Sequence, residues 1–213
     1  MTTQSDQYPA RLDIDYPEEL DRLTTFFRLI WALPIVVVLS LLTATGNETV
    51  VTETGEKVRE SGGGIVGGLF LATMLMIVFR QRYPRWWFDF ALELNRFSTR
   101  VGSYLGLLTD SYPSVEESQS VHLEIDYPDV EQDLNRFLPL VKWLLAIPHY
   151  VVLVVLVVGA IIAIVSAWFA ILFTGRYPRG LFDYVVGVGR WGLRVQAYAT
   201  LLVTDRYPPF NLK

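Results

Sequence analysis

Apolar positions gather into three blocks along the chain. The first runs from Leu23 to Ala44, with Arg28 as its only charge; the second runs from Gly62 to Phe79 and the third from Leu144 to Phe173, both uncharged. A helix needs about 20 apolar residues to cross a hydrocarbon core of about 30 Å. The first block fits one span and the second a short one. Extended back to Phe137 past Lys142, the third would be about 55 Å long as a single helix, which favours two short helices with a tight turn near Gly159. The pattern therefore predicts an all-α integral membrane fold with four spans, because three such blocks in one short chain are hard to bury without lipid.

After the second block the period changes. In Trp86 to Leu108 the positions Asp89, Glu93, Arg96, Arg100 and Ser103 fall on one narrow polar stripe of an apolar, aromatic cylinder. Asp183, Gly187, Arg190 and Arg194 form the same stripe further on. Glu93 is placed to pair with Arg96, and Asp183 with Arg179 or Arg190. Such a helix lies in the membrane interface, with arginines toward phosphates and Trp86, Trp87, Trp191 and Tyr104 at headgroup depth. The alternative, six spans in all, would place arginines at mid-bilayer.

The chain contains a pattern twice. Leu12-Asp13-Ile14-Asp15-Tyr16-Pro17 recurs as Leu123-Glu124-Ile125-Asp126-Tyr127-Pro128, and Leu20-Asp21-Arg22 as Leu134-Asn135-Arg136. In that register Arg28 aligns with Lys142 and Pro34 with Pro148, two prolines that should kink their spans. Arg82-Tyr83-Pro84-Arg85 recurs as Arg176-Tyr177-Pro178-Arg179, and Thr109-Asp110-Ser111-Tyr112-Pro113 as Thr204-Asp205-Arg206-Tyr207-Pro208. The segment Thr45 to Gly64 is present only in the first copy and reads as a polar loop. The expected organisation is an N-terminal arm (1–22), repeat 1 (12–113), a linker (114–122) and repeat 2 (123–210). Each repeat would be a transmembrane hairpin followed by an amphipathic helix and preceded by a short extended segment. Arg11–Tyr16 and Val121–Tyr127 alternate apolar and polar residues, as strands do; they could pair with each other or remain solvated linkers.

The (R)YPR motif, the following Phe-Asp, the arginine-bearing stretch and the closing TDxYP resemble the prokaryotic membrane domains grouped as domain-of-unknown-function family 4389 (DUF4389), in two tandem copies. Gly175 to Phe210 carries the resemblance best; the first copy departs from it at Trp86-Trp87 and Ser111. The resemblance implies a fold and a membrane location, and no activity.

Composition sharpens this. Of 213 residues 52% are hydrophobic and 19% charged, against about 45–50% and about 25% in average chains. A net charge of −4 argues against nucleic acid as a partner, and the absence of cysteine excludes disulfides and thiolate metal sites. Two histidines offer little for a metal centre; His149 has Ile35 at the matched position, so there is no paired histidine site. The first 22 residues lack the features of a cleavable signal peptide. Lysines and arginines avoid the 45–64 loop, apart from Lys57 and Arg59, which places both termini in the cytoplasm of a multi-pass inner-membrane protein.

The candidate site residues are Arg82, Arg85, Asp89, Arg96 and Arg100 in the first copy and Arg176, Arg179, Asp183, Arg190 and Arg194 in the second. Guanidinium groups match phosphates bidentately, so these residues suit anionic lipid headgroups between each third helix and its hairpin; a structural ion-pair network is the plainer role. The glycines of 62–68 allow close helix approach or a flexible loop end, and are followed by no phosphate-loop Lys-Ser/Thr. No nucleophile, metal or cofactor motif appears, so neither cofactor nor metal is expected. The reading is a non-catalytic accessory or scaffold protein that binds lipid and a larger membrane complex or its own copies. The alternative is a small transporter or lipid-handling protein with a pathway between the repeats.

Overall fold

The computed structural model describes residues 8–43, 47–51, 57–61, 65–114 and 119–213. The elements run β1 (Ala10–Ile14), α1 (Arg22–Thr43), β2 (Asn47–Val51), β3 (Lys57–Ser61), α2 (Ile65–Arg80), α3 (Arg85–Leu105), β4 (Val121–Ile125), α4 (Pro139–Leu145), α5 (Ile147–Thr174) and α6 (Arg179–Ala199). The fold is mostly helical. α1 and α5 are long and apolar enough to cross a membrane, and α2 is a shorter apolar helix.

The two alternating segments pair. β1 and β4 form an antiparallel ribbon in which Leu12 faces Leu123. Period-two alternation turns Ala10, Leu12, Ile14, Val121, Leu123 and Ile125 inward, where all are buried. The opposite face carries Asp13, His122 and Glu124, which are exposed, and the partly exposed Arg11. Within the 45–64 region, expected to be a loop, β2 and β3 form a second antiparallel ribbon; Gly62, Gly63 and Gly64 lie outside the described residues.

The expected turn near Gly159 does not occur: α5 passes through that residue unbroken. Gly159 serves close packing instead. The Tyr184 hydroxyl donates to the Leu156 carbonyl at 3.0 Å, and a Cβ on Gly159 would lie 2.5 Å from that hydroxyl oxygen. At Pro148 the helical run is broken: α4 ends at Leu145 and α5 begins at Ile147. The proline sits in the first turn of α5, where its missing N–H is no loss, and separates α5 from the seven-residue α4. The second half of the chain thus has one long apolar helix where the pattern suggested a hairpin.

α1 lies along α3. Arg28 near its start meets Tyr104, and Val38 and Leu42 near its end line a small cavity with Phe90, Leu94 and Phe97. The two helices are therefore antiparallel over most of their lengths. α4 and the first half of α5 likewise run antiparallel to α6: Lys142 meets the Tyr198 ring, His149 meets Trp191 and Leu156 meets Tyr184. The ribbon packs on a different face of α3 and α6. The Arg96 Nε donates to the Leu123 carbonyl at 3.2 Å, and the Arg190 Nε to the Leu12 carbonyl at 2.8 Å.

Candidate functional site

The apolar helices are exposed on one side and bonded to the rest of the molecule on the other. On α1 the inward stripe is Thr25, Arg28 and Ala32, continued by half-buried Ile35, Leu39 and Leu42. On α5 it is His149, Ala160, Ala163, Ala167 and Ile171, with Val152, Leu153 and Leu156 partly buried between them. The remaining surface is largely hydrocarbon, interrupted by Ser40 on α1 and Ser166 on α5. Leu29 is 77% exposed, Leu41 72%, Phe79 70% and Phe173 80%. Monomeric soluble proteins rarely show continuous apolar surfaces on this scale.

Two buried cations tie these helices down. The Arg28 guanidinium is 2% exposed. It pairs with Asp110, donates to the Tyr104 and Thr109 carbonyls at 2.7 and 2.8 Å and lies 4.6 Å from the Tyr104 ring centre. Lys142 is fully buried. It pairs with Asp205 at 2.7 Å, donates to the Thr204 carbonyl at 2.8 Å and lies 5.3 Å from the Tyr198 ring. Each carboxylate also accepts a backbone N–H just before its partner's helix: Asp110 from Asp21 at 2.7 Å and Asp205 from Asn135 at 2.5 Å. Sequence reasoning aligned Arg28 with Lys142 and Asp110 with Asp205 without pairing them. The available signal was a lone cation in each apolar block, with a Thr-Asp after each third helix.

The predicted arginines are not gathered into one site. They sort by their place relative to the apolar helices. Arg82 and Arg176 are exposed at the C-terminal ends of α2 and α5. Arg85 and Arg179 stack on tyrosines, Arg85 5.0 Å from the Tyr127 ring and Arg179 4.4 Å from the Tyr16 ring. The hydroxyls of those tyrosines donate across the molecule, Tyr127 to the Tyr83 carbonyl and Tyr16 to the Tyr177 carbonyl, each at 2.5 Å. Phe88 and Phe182 meet the same rings edge-on at 5.2 and 5.0 Å. The Tyr-Pro-Arg-x-x-Phe pattern is therefore a clamp for a tyrosine from the opposite half of the chain. Tyr83 and Tyr177 are themselves buried; burial pushes the Tyr83 phenol up to about 12 and raises that of Tyr177.

The charged stripes of α3 and α6 turn toward the ribbon and the segments that follow each helix, not toward the apolar helices as expected. The aromatic faces of α3 and α6 take α1 and α5, which leaves the arginines to the polar backbone of the ribbon. Arg96 also bonds Glu93 at 2.6 Å, and Arg190 bonds Asp13 at 2.7 Å. Arg100 donates to the Ser114 carbonyl at 2.6 Å. Arg194 donates to the Asn211 side chain at 2.7 Å and to the Lys213 carbonyl; burial, and then Arg190, lower its affinity for a proton. Asp183 reaches Arg179 at 3.7 Å rather than Arg190, and Asp89 is exposed. Arg190 and Arg194 border a cleft of about 810 Å³ together with Arg11, Asp13, Glu124, Arg206 and Lys213. The nearest carboxylates already bond Arg11 and Arg190. Among the described residues no cluster of His, Cys, Asp and Glu is placed to hold a metal ion.

Residues 139–211 match the family model described as Domain of unknown function (DUF4389), in one copy. The match covers α4, α5, α6 and the Thr-Asp-Arg-Tyr-Pro segment, less than half of the chain. No curated protein and no solved structure matches the chain.

Proposed function

We propose that this chain is a membrane-seated, non-catalytic scaffold or accessory protein. It binds anionic lipid through exposed arginines at the ends of its apolar helices and offers its polar ribbon to a partner complex or a further copy. The observation that carries the reading is the exposed hydrocarbon of α1, α2 and α5, flanked by Arg82 and Arg176. Basic residues so placed favour an anionic, cytoplasmic leaflet and put both chain ends on that side. The chain reads as two copies of one module, supported by contacts that recur at matched positions: the Arg28–Asp110 and Lys142–Asp205 pairs, and the clamps on Tyr127 and Tyr16.

Flotation with phosphatidylethanolamine–phosphatidylglycerol vesicles tests the lipid reading. The purified chain should float with them. The double change Arg82→Gln and Arg176→Gln should weaken binding about 10- to 30-fold at low salt, at about 1 kcal/mol per basic residue near an anionic surface, and should leave binding to neutral phosphatidylcholine unchanged. A chain that stays at the bottom of the gradient would refute the proposal. Pull-down in mild detergent tests the scaffold role: a stoichiometric partner or homo-oligomer supports it, and a lone monomer opposes it.

A further inference from the structure

Resting on that membrane reading, we infer that the apolar helices lie in the plane of one leaflet and do not cross the bilayer. Three observations carry this. First, α5 is held against the body along its length. Its inward stripe runs unbroken from His149 to Ile171; its start is pinned by Trp191 and its end by the Trp168 indole, which donates to the Thr25 carbonyl at 3.2 Å. The outward stripe of Val151, Val155, Val158, Ile162, Val165 and Phe169 is exposed throughout. This is the pattern of a helix laid on a support.

Second, α1 and the first half of α5 run alongside α3 and α6, and the ribbon bonds midway along those two helices, at Arg96 and Arg190. Relative to α5 the ribbon is level with the first turn, where His149 meets Trp191 beside Arg190; relative to α1 it is level with the middle, since Arg28 meets Tyr104 and Val38 meets Phe90 on either side of Arg96, so a spanning α1 would carry the ribbon to mid-membrane depth. Asp13, His122, Glu124 and Asp126, which are exposed, would then face hydrocarbon. Laid in the plane, the same helices immerse their apolar surface and leave the ribbon in water.

Third, the helix lengths do not match one bilayer. α1, α2 and α5 have 22, 16 and 28 residues, or about 33, 24 and 42 Å at about 1.5 Å per residue, against a core of about 30 Å. In-plane helices carry no such length constraint.

The chain has no cysteine, so single labels can be placed without background. Nitroxides at Val151, Val155, Val158, Ile162, Val165 and Phe169, one at a time, are read by oxygen and nickel accessibility in phosphatidylethanolamine–phosphatidylglycerol vesicles. The expected result is one depth for all six positions. A spanning α5 would make depth rise to the middle of the series and fall again by about 10 Å or more, which would overturn the inference. A second readout needs no change in α5. Thr49→Cys, in β2 just beyond the end of α1, and His122→Cys, on the ribbon, should both react with an impermeant maleimide from the same face of sealed vesicles. Reaction of Thr49→Cys only from the opposite face would overturn the inference while leaving membrane binding intact, whereas failure to float with the vesicles would remove both this inference and the reading beneath it.

Discussion

Replacing Asp205 by alanine isolates the most demanding electrostatic feature of the fold. The Lys142 ammonium is 0% exposed, while the Asp205 side chain is 21% exposed. Without the carboxylate, Lys142 keeps the Thr204 carbonyl and the Tyr198 face, neither of which carries a full negative charge. Removing one member of a buried pair costs about 3–5 kcal/mol because the other charge is stranded. At about 2–4 °C per kcal/mol for a chain of this size, the unfolding midpoint should fall by about 6–20 °C. Lys142→Met should cost less, since the surviving carboxylate is partly wet and still accepts the Asn135 N–H. The double variant Lys142→Met, Asp205→Asn should return to within about 1 kcal/mol of the parent, because an apolar replacement removes both the attraction and the desolvation. Tryptophan fluorescence during thermal unfolding in mild detergent follows all three. If Asp205→Ala is no worse than Lys142→Met, or the double variant is the sum of the singles, the burial argument is wrong. Asp110→Ala should be milder, because Arg28 retains two carbonyls and a ring.

Other expectations follow from single contacts. Tyr16→Phe and Tyr127→Phe each lose a hydroxyl bond across the molecule but keep the arginine-facing ring; each should cost about 1 kcal/mol in unfolding, and a loss above about 3 kcal/mol would mean the hydroxyl does more than bond one carbonyl. Gly159→Ala must push the Tyr184 hydroxyl off the Leu156 carbonyl, so it should cost about 1–3 kcal/mol and add little on top of Tyr184→Phe; full additivity would dissociate the two. Cysteines at Arg11 and Glu124, directly opposed in the ribbon, should close a disulfide on oxidation, since opposed Cα atoms lie about 4.5–5.5 Å apart. Arg11→Cys with His122→Cys should not, and equal cross-linking of both pairs would refute the register.

Much of the architecture was legible in the pattern of residues. Alternation marked β1 and β4, the polar stripe marked α3 and α6, and the Glu93–Arg96 pair followed from helical spacing, which left Asp183 between Arg179 and Arg190. Partnership was harder. Nothing in Leu12 or Leu123 specifies that they face each other, since a strand's partner is set by tertiary packing. Gly159 misled because a glycine in an apolar run signals either a turn or a close approach; here Tyr184 decides, from a position remote in sequence. The arginines of α3 and α6 could be placed on a stripe, but the direction of that stripe depended on which face the tyrosines and tryptophans claimed. Arg28 and Lys142 looked like stray charges because their partners, Asp110 and Asp205, lie beyond the third helices.

The contacts divide by what they join. The pairs of Arg28 with Asp110 and Lys142 with Asp205 lie within one half of the chain and fix an apolar helix to its amphipathic neighbour. The ribbon pairing, the bonds of Arg96 to Leu123 and Arg190 to Leu12, and the clamps on Tyr16 and Tyr127 all cross between halves. The division has a physical origin. A helix satisfies its own backbone, so a short helical unit needs only side-chain anchors. A lone strand leaves its N–H and C=O groups unpaired and needs another strand. Under the two-copy reading, each module brings one strand and one set of receiving arginines, and neither set is completed within its own copy. The family match, residues 139–211, holds both kinds of contact: the Lys142–Asp205 anchor is complete within it, whereas Arg179 and Arg190 reach Tyr16, Leu12 and Asp13 in the other half.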